Sequence, residues 1–206
     1  MRWQYSIGPD AFNTNYGSLF PMTSPQPPVV FTVGHSDRDE TEFVRLLTEN
    51  GIATLVDIRV FPGSRRYPQF TKEALRALLE EAGIVYHWAG KQLGGKRPVH
   101  PDSPHVALTE SGLRGFADYM ASDDFQRAVA QLLNLASKAR TAIMCAERLP
   151  EHCHRSLIAD YLVLQGCEVI HLIGVDERRE HLLRAEARRE SALPIYDRFS
   201  SGELDF

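Results

Sequence analysis

Thr141-Ala142-Ile143-Met144-Cys145-Ala146 is a short apolar run, and beyond Glu147 the chain passes Pro150 into Cys153-His154-Arg155-Ser156-Leu157-Ile158-Ala159-Asp160. The first segment is short and apolar, as a buried strand is. The second carries Leu157, Ile158, Tyr161 and Leu162 at helical spacing and stops at Gly166. A strand ending in a thiol and a carboxylate is therefore followed by a helix that opens with a thiol, an imidazole and a guanidinium. The same alternation of short β-branched runs and amphipathic helices recurs from Val29 onward. That alternation is the mark of a parallel sheet covered by helices on both faces.

Working outward, the other strand candidates are Val29 to Gly34, Thr54 to Ile58, Ile84 to Trp88 and Glu168 to Ile173. Asp39 with Glu42 three positions on spells a capping box, and Phe43, Leu46 and Leu47 then share one helical face before Asn50-Gly51. A second helix runs from about Thr71 to Gly83 with Leu75, Leu78 and Leu79 inward. After a Gly/Pro/His-rich loop from Gly90 to Thr109, two more follow, one around Phe116, Tyr119 and Met120 and one from Asp123. The expected fold is α/β: a single doubly wound, Rossmann-like domain of about five mainly parallel strands. Residues 1–28, ending in Ser24-Pro25-Gln26-Pro27-Pro28, read as an irregular arm, 29–175 as the core domain, and 176–206 as a charged C-terminal helix and tail, with the helix over Asp176 to Glu190.

A chain of 206 residues fits one domain with a full core. It contains no apolar run long enough for a bilayer and no apolar leader at its start, so a soluble, cytoplasmic protein without a membrane partner is expected. Cys145, Cys153 and Cys167 are an odd number of cysteines in a chain that can build its own core, which argues for free thiols. The net charge of −4 excludes the global basic field of a dedicated nucleic-acid binder. Cations nevertheless cluster locally, Arg59, Arg65 and Arg66 in one loop and Lys91, Lys96 and Arg97 in another.

In a doubly wound sheet the functional loops lie beyond the carboxyl ends of the strands, where the strand order switches. The chemistry-bearing residues fall there. His35 and Ser36 follow the first strand, Asp57 and Arg59 end the second, and Cys145 and Glu147 end the fourth. Asp57 and Arg59 are two apart, as are Cys145 and Glu147, so each pair shares a face while the strand persists.

These residues sit within Phe31-Thr32-Val33-Gly34-His35-Ser36, Leu55-Val56-Asp57-Ile58-Arg59 with Phe61-Pro62 and Ser64-Arg65-Arg66, Pro68-Gln69-Phe70, Leu93-Gly94-Gly95, and Met144-Cys145-Ala146-Glu147 with Cys153-His154-Arg155. In this order they resemble the family catalogued as domain of unknown function 488, over roughly residues 29 to 173. The resemblance implies an α/β domain and brings no activity with it, so residue roles rest on chemistry.

Cys153-His154-Arg155 opens a helix, where free amides and the macrodipole favour an anion, and Arg155 adds a fork suited to phosphate. Cys153 there is a candidate thiolate. A phosphatase loop does not fit, because Cys145 stands ten residues before Arg155 without a glycine-rich cradle. Zinc is not favoured either, since adjacent Cys153 and His154 on a helix would point in different directions. No Walker or dinucleotide fingerprint is present, so the sequence names no nucleotide cofactor, and a divalent metal is a less favoured alternative. The expected site is catalytic at Glu147, His35, His154, Cys153 and Asp57, and binds substrate through Arg59, Arg65, Arg66, Arg155 and Cys145. The favoured function is an enzyme, a hydrolase or group transferase acting on a phosphate-bearing substrate such as a nucleotide or nucleic-acid fragment. The alternatives are a non-enzymatic module that binds an anion or nucleic acid, and a thiol redox sensor built on Cys145 and Cys153.

Overall fold

Five apolar runs become parallel strands: β1 (Val29–Gly34), β2 (Thr54–Asp57), β3 (Val85–Trp88), β4 (Thr141–Cys145) and β5 (Glu168–Gly174). The computed structural model from which they are read describes residues 28–63, 65–189 and 193–198, so the N-terminal arm lies outside the described residues except for Pro28. A sixth strand, β6 (Glu177–Glu180), pairs antiparallel with β5, and the sheet order is β3-β2-β4-β1-β5-β6. The helices are α1 (Glu40–Glu49), α2 (Lys72–Glu81), α3 (Gly90–Leu93), α4 (Ser111–Tyr119), α5 (Asp123–Ala136) and α6 (Arg155–Leu164). Among the described residues no helix is long and apolar enough to cross a membrane.

Strand alternation divides the core into two layers. Phe31, Val33, Leu55, Ala142, Met144 and Leu172 face Phe43, Leu46 and Leu47 of α1 and Leu75 and Leu79 of α2. Val30, Val56, Ile143, Cys145 and Val169 point the other way, onto Phe116 of α4, Phe125, Val129 and Leu132 of α5, and Leu157, Ile158 and Leu162 of α6. Each fully buried Leu, Ile or Phe contributes roughly 1.5–3 kcal/mol of transfer free energy, which the layers collect on both faces of the sheet. Local signals agree with this packing. The Asp39 carboxylate accepts the Glu42 amide at 2.7 Å to start α1, and Ser122 Oγ accepts the Phe125 amide at 3.3 Å to start α5.

The expected helix over 176–190 is corrected. Val175 and Asp176 form a tight turn, and Glu177-Arg178-Arg179-Glu180 then runs back along β5 as an exposed edge strand. Four consecutive charged residues carry helix propensity, but on a sheet edge they also keep other strands from pairing there, and the hairpin wins. Farther on, Ala187 bridges Tyr196, and both are buried in the layer that holds α4–α6. The loop expected from Gly90 begins instead with the short helix α3.

Beneath β6 lies a chain of buried polar groups. Thr32 Oγ1 meets His171 Nδ1 at 2.6 Å, His171 Nε2 meets His181 Nδ1 at 2.9 Å, and His181 Nε2 meets Asp160 Oδ1 at 2.9 Å. Tyr196 donates its hydroxyl to the other Asp160 oxygen at 2.9 Å. Burial, reinforced by His181 and by the charges of Arg155 and Arg179, lowers His171 from the usual 6.5 to about 3. The unfolded chain therefore takes up a proton on this imidazole near pH 6.5 that the folded chain refuses until about pH 3. Its contribution to stability is complete above the unfolded value and is lost as the pH falls through that window. Urea unfolding followed from about pH 7 to about pH 4 is expected to show stability falling by an amount of order 1 kcal/mol or more, with a shallower fall in H171Q.

Candidate active site

β1 and β2 send their following helices to one face of the sheet, whereas β4, which lies between them, sends α6 to the other. Loops diverging from neighbouring strands leave a crevice at the carboxyl ends, and this is where the chain has one. A cavity of about 390 Å³ opens there. The β2 loop supplies Arg59, Val60 and Phe61 to its wall, the loop after α3 supplies Gly95 and Lys96, and the start of α4 supplies Glu110, Gly112 and Leu113. Cys145, Ala146 and Glu147 come from the end of β4, and His152, Cys153 and His154 from the approach to α6.

Two thiols and an imidazole converge in this wall. His154 Nδ1 lies 3.9 Å from Cys145 Sγ and 3.7 Å from Cys153 Sγ, and the three atoms all fall within 4.8 Å of one another. The helix-based expectation that Cys153 and His154 diverge is corrected by where the helix starts. Cys153 has extended backbone (φ −140°, ψ 141°), His154 is the cap residue, and α6 begins only at Arg155. Cys153 is thus outside the helix, although His154 already has helical dihedrals (φ −56°, ψ −16°), and the pair is not set by helical spacing. His154 Nε2 sits 3.0 Å from the Leu93 carbonyl, which can only accept, so Nε2 donates there and Nδ1 faces the sulfurs. The Leu93 loop closes over the ring because Gly95 is a glycine: a Cβ there would lie 2.6 Å from His154 Cγ and Nδ1. The hydrogen bond from the Cys145 thiol, with His154 and Arg155 nearby, holds Cys153 well below the ordinary thiol range. That same bond, together with burial, pushes Cys145 well above it.

Asp57, Arg59 and His35 also meet, but they spend their polar atoms on one another. Arg59 Nε donates to Asp57 Oδ1 at 2.9 Å and Nη2 to Oδ2 at 2.7 Å, while the Arg59 amide and the Tyr86 hydroxyl add donors at 3.0 and 2.9 Å. With four donors on a fully buried carboxylate, Asp57 faces Arg59 and Tyr86. Arg59 Nη1 lies 3.1 Å from His35 Nε2, and His35 Nδ1 donates to the Ser36 carbonyl at 2.9 Å. Burial and the Arg59 charge lower His35 to about 4, so its Nε2 is a free acceptor for that guanidinium. His35 also stacks on Phe70, ring centroids 4.4 Å apart. Of these three residues only Arg59 reaches the cavity wall.

The remaining expected residues separate. Glu147 is exposed and lines the cavity. Arg155 is fully buried and donates to the Glu147 carbonyl through Nη1 and to the Arg148 carbonyl at 2.7 Å through Nη2, so its fork holds backbone and does not face the cavity. Arg65 and Arg66 are exposed and outside the cavity wall, with the Arg66 guanidinium 5.3 Å above the Tyr67 ring. Lys96, Phe61, Glu110 and His152 line the cavity but are not among the expected site residues. Lys96 and Phe61 carried a signal, a cation beside two glycines and a ring in an arginine-rich loop. Glu110 carried none, because only the return of α4 to the sheet brings it near.

No curated protein and no solved structure matches the chain. A family model described as a domain of unknown function, DUF488, matches residues 40–162, a span that contains β2 to β4, both cysteines of the cavity and Glu147. That span is more than half of the sequence, and the chain belongs to the DUF488 family.

Proposed function

We propose that the chain is an enzyme, a hydrolase or group transferase, that acts on a phosphate-bearing substrate of the nucleotide kind in the cavity at the end of β4. One observation carries this reading: a single cavity gathers a reachable carboxylate (Glu147), an exposed cation (Lys96), an exposed ring (Phe61) and the Cys145, Cys153 and His154 cluster. Phe61 is 72% exposed, and Lys96 Nζ lies 5.3 Å from its ring centroid. That pair suits a base stacked on the ring with a phosphate at the ammonium. The first-turn amides of α4, which lack partners within their helix, border the same space at Gly112 and Leu113.

In this mechanism Glu147 takes the proton of an attacking water or acceptor hydroxyl as its oxygen bonds to the electrophilic centre. The bond to the leaving group breaks with its electron pair, and Glu147 returns the proton to that group. His35 and Asp57 position Arg59, and Arg155 positions the loop that carries Glu147. Cys153 and His154 belong to the cluster beside the reacting atoms.

A second reading is favoured by the proximity of the two thiols. As a redox sensor, Cys145 and Cys153 would give up two electrons and two protons to hydrogen peroxide, which leaves as two waters, and would join as a disulfide. Mass spectrometry after mild peroxide treatment is expected, on that reading, to show Cys145 linked to Cys153 with Cys167 still free, and no such link in C145S.

Thermal-shift measurements against nucleotides and phosphorylated metabolites are expected to find ligands that raise Tm, because a ligand that binds only the folded state stabilises it. E147Q should keep that shift and lose turnover by roughly 10²- to 10⁴-fold. A Glu147 variant with wild-type turnover removes the assigned base. Ligand binding with no turnover in any assay leaves a binding module instead. D57N breaks a buried, fully bonded ion pair and is expected to cost roughly 3–5 kcal/mol in denaturant unfolding.

A further inference from the structure

We infer that Cys145, Cys153 and His154 form a zinc site whose fourth coordination position faces the cavity. Zinc bonds thiolate sulfur at about 2.3 Å and imidazole nitrogen at about 2.0–2.1 Å in a tetrahedron, which separates sulfur from nitrogen by about 3.6 Å. The two sulfur-to-nitrogen distances here are 3.9 and 3.7 Å and all three atoms lie within 4.8 Å of one another, against about 3.8 Å between two sulfurs on one zinc, so a single ion is accommodated by shifts of about 1 Å or less. Among the described residues this trio is the one group of cysteine, histidine and carboxylate side chains drawn together closely enough to hold an ion.

The surroundings match a metal site as well as the ligands do. A metal-bound imidazole characteristically donates its other N–H to a carbonyl or carboxylate, and His154 Nε2 is set 3.0 Å from the Leu93 carbonyl. The three ligands stand on fixed supports: Cys145 ends a central strand paired on both sides, and Cys153 and His154 precede α6, whose first residue is the buried Arg155. Two sulfurs and one nitrogen are a soft donor set that selects zinc over magnesium or calcium. Three protein ligands beside an open cavity are the pattern of catalytic zinc sites, whereas purely structural sites close the fourth position with another side chain. The role of the ion, to activate a water or polarise a substrate oxygen beside Glu147, rests on the function proposed above. Its binding rests on the three side chains alone.

The test uses the whole chain, stripped with a chelator and re-exposed to zinc or cobalt(II), with bound metal counted by elemental analysis after gel filtration. About one zinc per chain is expected, and the cobalt form should show thiolate charge-transfer absorption and the intense visible bands of a tetrahedral centre. C145S, C153S, H154N and G95A, which crowds the His154 ring, should each weaken uptake at least about tenfold, while C167S should not. Cadmium-113 NMR of the unaltered protein reports two sulfur ligands and one nitrogen without relying on any variant. Folded wild-type protein that takes up no ion, a cobalt spectrum without sulfur charge transfer, or uptake that survives C145S and C153S overturns the site. Zinc uptake without ligand-induced stabilisation or turnover supports the site and removes the enzyme. Turnover indifferent to chelation, with no metal taken up, keeps the enzyme and removes the zinc.

Discussion

The guanidinium of Arg155 is the fastening on which the cavity depends. A fully buried cation must have its donors satisfied or the fold bears a large desolvation cost. Arg155 places Nη1 and Nη2 on the carbonyls of Glu147 and Arg148, while its Nε is buried without a hydrogen-bond partner among the described residues. Those bonds pull the start of the β4–α6 loop against the first residue of the helix. Because the loop is folded back in this way, Cys145 at its beginning and Cys153 at its end come side by side. The close fit extends to β1, where a Cβ on Gly34 would lie only 1.8 Å from the Glu147 carbonyl oxygen. Any larger residue at Gly34 would push the loop off its support.

The same device recurs around the rim of the sheet and explains why so many charges there are not available to a ligand. Arg38, also buried, donates to the carbonyls of Gly34 and Ile173 and so ties the ends of β1 and β5 together. Asp57 holds Arg59, and Arg59 holds a neutral His35. Trp88 donates to the Arg59 carbonyl at 2.9 Å, which anchors the β2 loop to the end of β3. Satisfied buried polar networks are rigid, since every alternative arrangement leaves a polar atom unpaired in a low-dielectric setting. The rim spends most of its ionic groups on stiffness and leaves Glu147, Lys96 and His152 exposed at the cavity.

Sequence made the five parallel strands and the helix starts legible because their signals are local: β-branched runs, the Asp39 capping box, apolar residues at helical spacing. It hid what depends on one boundary or on long-range return of the chain. Helical spacing at the start of α6 implies that Cys153 and His154 diverge, but Cys153 has extended backbone and precedes the helix, so its thiol and the His154 ring come together. Asp57 and Arg59 were legible as a pair on one face. Whether the pair turned outward or locked inward was settled by Tyr86 and His35, 29 and 24 residues away in sequence from Asp57 and Arg59 respectively. Glu177 to Glu180 read as helix because propensity is local, while the hairpin that claims it is set by pairing with β5.

A rigid rim constrains the chemistry as well as the fold. The Glu147 backbone is fixed by Arg155 and by its passage against Gly34, while its carboxylate is exposed, so its freedom lies in side-chain rotamers alone. The Cys145, Cys153 and His154 cluster is equally fixed by β4, by the residues before α6 and by the Leu93 carbonyl. A group that carries protons by rotating a side chain, set beside a cluster that does not move, keeps its reach to a fixed point without reorganising the backbone. Preorganisation of that kind is what a polar reaction centre needs, because the cost of arranging dipoles and charges is met on folding and not at each turnover.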